Sequence, residues 1–297
     1  MITNLHESPR KPARVVVLGA GGFIGGAIAR RLRSEGIEVL ALGRASCDLL
    51  AADAATRLTK ELRPDDTLVF VSAHAPVKNV AMLIENIRMG DAVCAALRER
   101  PVAHAIYVSS DAVYKDSAEP ISESSCAEPG SLHGAMHLTR EVMLRSEFPG
   151  PLAFVRPTLT YGIDDPHNGY GPNRFRRLAA EGKDLLLFGE GEEQRDHVAV
   201  ADIAELTLRV VLHRSSGIVN ATSGEVASFR TLAEFIAAQF PSRVVVKGSP
   251  RVGPMPHNGF RPFAPSAALT AFPGFTFTPW RRGIAAMCAE SSQAKDR

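Results

Sequence analysis

Cysteine, long apolar runs and charge imbalance are all scarce in this chain, and each scarcity removes a class of function. Four cysteines, Cys47, Cys94, Cys126 and Cys288, lie scattered among 297 residues with no C-x-x-C pair. That pattern disfavours a disulfide framework and a cysteine-rich zinc site, and it fits a reducing, cytoplasmic setting. No window approaches the ~18 apolar residues of a membrane span, and the opening MITNLHESPRKP lacks the apolar stretch of a secretion signal. With 34 Lys and Arg against 32 Asp and Glu, the net charge is +2, a balance that asks for neither nucleic acid nor an anionic membrane. Internal repeats and low-complexity tracts are missing too. What remains is 45% hydrophobic residues, enough for one large core or a core with a smaller lobe attached.

The chain is organised around Val15 to Gly26, VVVLGAGGFIGG. A β-branched run stops at Gly19, glycines recur at Gly22 and Gly25, and the helical run AIARRLRSEG follows at once. This reads as a buried strand, a tight turn and a helix opening at Phe23 and Ile24. Glycine frees the turn, lets main-chain amides approach a pyrophosphate, and lets the helix pack closely on the sheet. The anion then sits at the positive end of the helix.

Val39 to Leu42 is a second strand with Gly43-Arg44 at its exit. A carboxylate there suits a free ribose 2′-hydroxyl and an arginine suits a 2′-phosphate, so Arg44 leans the cofactor from NAD toward NADP unless it is simply a solvated turn residue. Asp48 is placed either to reach an adenine edge or to cap a helix beginning near Ala51. Thr67 to Ser72, TLVFVS, is a strand buried on both faces and ends at Ala73-His74. His74 reads as a loop residue anchored to backbone rather than a catalyst. A long helix, Lys78 to Arg100, carries Asn86, and a fourth strand, Ala103 to Ser109, delivers Ser110 and Asp111 to the same sheet edge. Four alternations of strand and helix imply an α/β, doubly wound parallel sheet.

Taken together, GAGGFIG, Asp48, Asn86 and SSDAVY resemble the extended short-chain dehydrogenase/reductase family, the NAD-dependent epimerase/dehydratases of nucleotide sugars. FVRPTLTYG, FGEGEEQRDHVAVADIAE and IVNATSGEVASF resemble that family's later blocks. The resemblance implies a Rossmann-type NAD(P)-binding domain over residues 12–160, with about 196–220 returning to it, and a substrate lobe mainly over 161–297. It implies cofactor contacts from the glycine turn, Arg44, Asp48, Ala73, His74, Asn86 and Pro157. Redox chemistry on a nucleotide-linked sugar follows, as epimerase, dehydratase or reductase, with a homodimer pairing the helices Lys78 to Arg100 and His133 to Arg145.

The family's catalytic element is a serine or threonine after the fourth strand plus Y-x-x-x-K on the next helix. Ser110 matches the first, with Asp111 beside it, but the block reads PGSLHGAMHLTRE. His133 stands in the tyrosine position and His137 in the lysine position, and no tyrosine of the chain has a lysine four residues on. Three readings stay open. Imidazole titrates near neutrality, so His133 could act as base and His137, one turn away, could bind the ribose. Alternatively the chain has lost catalysis and only binds cofactor, in a structural or regulatory role. Histidines at i and i+4 also have metal-ligand spacing, but no glutamate follows His133 as in zinc proteases and Glu141 is explained by its family position, so no metal is expected.

In the second half, Leu152 to Arg156 is a fifth strand, and the long loop GIDDPHNGYGPN leads to a helix around Asn173 to Gly182. Leu159 stands where many members carry a substrate-binding asparagine. Asn173 matches an asparagine that opens the substrate-side helix, and Arg195 matches the arginine near the nucleotide diphosphate, the alternative being a salt bridge to Asp196 or Asp202. Arg174, Arg176 and Arg177 either extend a phosphate field or face water. Helices are expected at Val200 to His213 and Ser228 to Phe240 around a short strand, Gly217 to Asn220. The polar tail from Glu290 is expected to be disordered.

Overall fold

A computed structural model describes residues 1–241 and 243–293. Its centre is a six-stranded parallel sheet in the order β2 (Val39–Leu42), β1 (Val15–Leu18), β3 (Thr67–Phe70), β4 (His104–Val108), β5 (Leu152–Pro157) and β9 (Gly217–Ala221). The strands are mostly apolar because alternate residues feed two cores. Val15, Val17, Val69, Ile106, Val155 and Val219 face α1 (Phe23–Ser34) and α6 (Val200–Leu212). Val16, Leu18, Leu68, Phe70, Tyr107 and Phe154 face α2 (Ala54–Glu61), α3 (Val80–Glu99) and α4 (Leu132–Glu147). A period of two with both faces buried is the pattern of a parallel strand covered by crossover helices. Strand order reverses between β1 and β3, and such a switch point opens a crevice at the carboxyl ends of the strands.

The second layer is smaller. β8 (Gln194–Ala199) pairs with β6 (Leu159–Tyr161), β10 (Val226–Ser228) and β12 (Phe260–Arg261), and β7 (Leu185–Phe188) pairs with β11 (Val246–Ser249). Around them α5 (Pro172–Ala180), α7 (Phe229–Ala237) and α9 (Trp280–Gln293) bury Phe175, Leu232, Ile236, Trp280 and Ile284. A short helix, α8 (Ser266–Ala271), packs back on β9. The two layers are tied by buried polar groups: Asp196 of β8 accepts from Thr158 Oγ1 at 2.6 Å and from Gly224 N at 2.7 Å.

Two boundaries differ from the sequence expectation. The second helix opens at Ala54 rather than near Ala51, and Asp48 does not cap it: Asp48 Oδ1 accepts from Leu50 N at 3.0 Å in a local turn. The tail from Glu290 is helical through Gln293, because α9 continues past its buried Ile284 and Cys288 face. The rest of that expectation, residues 294–297, lies outside the described residues.

Candidate active site

The glycine-rich turn forms the first wall of the crevice. Gly19 turns the chain at φ +99°, and a Cβ there would lie 2.7 Å from Ser72 N. A Cβ on Gly25 would run into the carbonyl of Gly19, so both positions are held to glycine by backbone meeting backbone. Gly21 has open space before it and lines the crevice. Among the described residues the amides of Phe23, Ile24 and Gly25 have no hydrogen-bond partner, Gly22 offers no side-chain cap, and the first turn of α1 carries no acid. An uncapped helix start above an open glycine cradle fits the pyrophosphate of a dinucleotide, whose charge satisfies those amides and meets the helix dipole.

From that turn a cleft of about 840 Å³ follows the carboxyl edge of the sheet, a volume suited to a cofactor with substrate. Arg44 and Asp48 line it at the exit of β2, Ala73 after β3, Ser110 and Asp111 after β4, and Pro157 at the end of β5. Arg44 is exposed and has no ion-pair partner among the described residues.

The second wall is α4. Ser131 caps it, accepting from Gly134 N at 3.1 Å, and Gly134 lets the helix lie against the turn after β4, since a Cβ there would strike the carbonyl of Ala112. This contact brings His133 and His137 to the cleft beside Ser110. The two rings stand edge to face, 4.7 Å apart. Burial lowers the pKa of His133 against the pull of the Asp111 carboxylate. His137 is deeper, and burial, helped by His133 and Arg140, holds it well below the ordinary imidazole value. Both rings are therefore neutral at pH 7. Tyr107 Oη lies 2.7 Å from His137 Nδ1. His133 Nδ1 is enclosed without a partner, which leaves Nε2 as the nitrogen open to the cleft.

The far end is cationic. Arg195 of β8 lies 3.5 Å from Asp111 Oδ2 and 3.2 Å from Glu193 Oε1. Arg261 of β12, 1% exposed, has its Nε 3.5 Å from the same Asp111 oxygen, donates to the carbonyls of Asp111 and Tyr114, and pairs with Asp116. One cleft carboxylate thus stands between two guanidiniums, and Arg195 is not paired with Asp196 or Asp202, which bind Thr158 and Thr278 instead.

A scan of family descriptions matches residues 15–222 to the NAD dependent epimerase/dehydratase family. The chain belongs to that family. Among curated relatives, a dTDP-4-dehydro-6-deoxy-D-allose reductase of Streptomyces bikiniensis is 27% identical over 268 residues, covering 75% of this chain and 80% of the relative. A UDP-glucose 4-epimerase of Mycolicibacterium smegmatis is 28% identical over 231 residues, 66% of this chain and 72% of the relative. The fold matches that of Thermus thermophilus UDP-glucose 4-epimerase in complex with NAD, with TM-score 0.82 at 23% identity, covering 95% and 99% of the two chains. It also matches an NADP-bound GDP-L-fucose synthetase from Naegleria fowleri, with TM-score 0.82 at 18% identity over 99% and 98%.

Within this epimerase/dehydratase fold, three of the residues expected at the site serve as scaffold. Asn86 is fully buried: its side chain accepts from His74 N and donates to His74 O and Met82 O, pinning the loop after β3 rather than lining the cleft. The His74 ring turns outward to Glu85, 2.8 Å away. Asn173 spends its amide on Gly162 N and Thr160 O, and it does not line the cleft. The arginines of NRFRR do not line the cleft: Arg174 is exposed, Arg176 donates to Ser291, and Arg177 binds Asp165 and Asn168. Leu159 does line the cleft, so an apolar surface stands where an asparagine was the family expectation. Among the described residues no three His, Cys, Asp or Glu side chains gather as a metal ion needs, and no helix is long and apolar enough to cross a membrane. Sequence reasoning missed Asp165 and His167, loop residues that line the cleft, and the buried Arg261 and Tyr107 behind it.

Proposed function

We propose that this chain is an NAD(P)-dependent enzyme that oxidises or reduces a nucleotide-linked sugar, as epimerase, dehydratase or reductase, with His133 and His137 in place of the family's tyrosine and lysine. The observation that carries the reading is one cleft holding three chemistries in sequence: an anion cradle at Gly19 to Gly25, two neutral imidazoles beside Ser110, and the guanidinium of Arg195, backed by the buried Arg261 on the other side of Asp111. Bound at the first of these, the nicotinamide cofactor supplies hydride transfer.

The chain's own residues do the rest. His133 takes the proton of the sugar hydroxyl on Nε2 as the carbonyl forms and returns it in the opposite direction; its lowered pKa keeps the ring unprotonated at neutral pH and ready as a base. Ser110 Oγ, 9% exposed and anchored by the amide of Ala112, donates a second hydrogen bond to the same oxygen. His137 holds the ribose. Arg195 grips the diphosphate, an anion that meets the same guanidinium now facing the Asp111 carboxylate. Arg44, exposed and unpaired at the cleft mouth, supports binding of NADP at least as tight as NAD. The relatives named above act on dTDP- and UDP-sugars, which supports a nucleotide sugar as substrate.

Four cysteines scattered with no C-x-x-C pair support a cytoplasmic setting. Exposed Val80 and Ile84 on α3 and Val142 on α4 support a homodimer through those helices. The test of function is direct. Purified protein with bound or added NAD(P) should change nicotinamide absorbance when offered UDP-, dTDP- and GDP-sugars. Cofactor binding with no turnover of any of them establishes the alternative, a binding-only protein.

A further inference from the structure

Tyr107 sits in the middle of β4, fully buried, with Phe70 5.1 Å away and Phe154 edge-on at 6.5 Å. That clamp fixes its phenol under α4. Its hydroxyl has two neighbours that can accept a proton: His137 Nδ1 at 2.7 Å and the Met136 thioether at 3.9 Å. A thioether is a weak acceptor, and an imidazole nitrogen is a strong one. Were Nδ1 to carry hydrogen and donate to the phenol oxygen, the phenol's own proton would be left to sulfur. Burial pushes the phenol pKa up to about 12 and holds the imidazole neutral, so the phenol keeps its proton. The groups facing the pair all come from α4: His133 and Arg140 disfavour a charged His137, while Arg140 lowers the phenol pKa and Glu141 raises it, both outweighed by burial.

We infer that Tyr107 is a positioning residue: its hydroxyl donates to His137 Nδ1, fixes the ring as the Nε2–H tautomer, and so presents a hydrogen-bond donor to a ribose hydroxyl of the nicotinamide cofactor. The inference rests on the cofactor reading above. Its chemical content is specific. A lysine is a donor whatever its surroundings, whereas a neutral imidazole presents either a donor or an acceptor according to what its other nitrogen meets. A chain with histidine at this position therefore needs a second residue to set the tautomer, and β4 provides one from beneath the helix.

The experiment is a long-range proton–nitrogen spectrum of the histidine side chains in the wild-type protein, with His137 assigned by the signal lost in His137→Gln, together with NAD and NADP titrations. The expected wild-type result is a single Nε2–H tautomer at His137 near pH 7.5. Tyr107→Phe, which keeps the ring and its packing, should give a mixture of tautomers and weaken cofactor binding about 3- to 10-fold. In a His137→Gln background, which has no tautomer to set, the same change should cost less than twofold. A Nδ1–H tautomer in the wild type, an unchanged tautomer in Tyr107→Phe, or an equal loss of affinity in both backgrounds overturns the inference, the last by showing Tyr107 to be packing alone. Absence of any NAD or NADP binding by the wild type overturns the cofactor reading beneath it, and the wild-type spectrum distinguishes that result from a wrong tautomer.

Discussion

Replacing Arg195 by alanine separates a ligand-binding role from a structural one. The side chain is 11% exposed, and its two carboxylate partners, at 3.5 and 3.2 Å, are no closer than a loose ion pair. Its removal leaves Asp111 still facing Arg261 but takes from the buried Glu193 its one side-chain partner among the described residues, so a modest loss of stability should accompany the change and the melting temperature is read beside the affinities. A hydrogen bond to a charged group contributes about 1.5–3 kcal/mol, which is roughly 10- to 140-fold in Kd. Calorimetry with UDP, dTDP and GDP as probes should therefore show that loss for whichever diphosphate binds best. NAD(P) affinity should change less than about threefold, since the pyrophosphate cradle lies at the other end of the cleft. Equal weakening of both ligands, or a large fall in melting temperature with no selective loss, would refute the reasoning. Arg261→Ala provides the contrast. That guanidinium is fully buried and holds the Asp111 and Tyr114 carbonyls, so its loss should lower stability.

Two further outcomes follow from single residues. Arg44→Asp should turn a preference for NADP, or parity, into a preference for NAD in competitive binding, and strong NAD preference in the unmodified protein contradicts the role given to Arg44. His104 is buried, donates from Nε2 to the Ser215 carbonyl, and has its pKa lowered by burial to about 4. Below pH 6.5 the unfolded chain therefore takes up a proton that the folded one refuses, and stability falls as pH drops toward 4. Between pH 7 and 5 this group costs about 2 kcal/mol, and urea unfolding should show that increment shrinking in His104→Gln.

The doubly wound parallel sheet was legible because runs such as VVVL and, after its opening threonine, TLVF are apolar, as a strand covered on both faces requires. The glycine turn was legible for a related reason: glycine at 25 is imposed by the carbonyl of Gly19 within the same turn, and local constraints leave local marks. His133 and His137 were placed correctly on one helical face by their spacing. Whether that face met the cleft depended on Gly134 resting on the turn after β4, a contact that spacing does not report. Arg261 was illegible because it reaches Asp111 across 150 positions of sequence. Asn86 and Asn173 match family positions, yet their amides are consumed by backbone groups of neighbouring loops, and a motif match does not reveal which partner an amide finds. The arginines of NRFRR failed as a cluster because Arg176 turns inward to Ser291 and Arg177 is taken up by Asp165 and Asn168, partners that the run itself does not reveal.

The central claim is that His133 is the base. The measurement is the pH dependence of turnover, with the best nucleotide sugar found, for wild type, His133→Ala and the His133→Tyr, His137→Lys double variant. Because burial lowers the His133 pKa, wild-type activity should hold below pH 6.5 and fall only at more acidic pH, as the ring gains a proton and ceases to be a base. His133→Ala should lose about 10²- to 10⁴-fold in rate and its acid limb, and the double variant should recover activity with its optimum moved upward. Unchanged turnover in His133→Ala, or an acid limb that survives the substitution, contradicts the account.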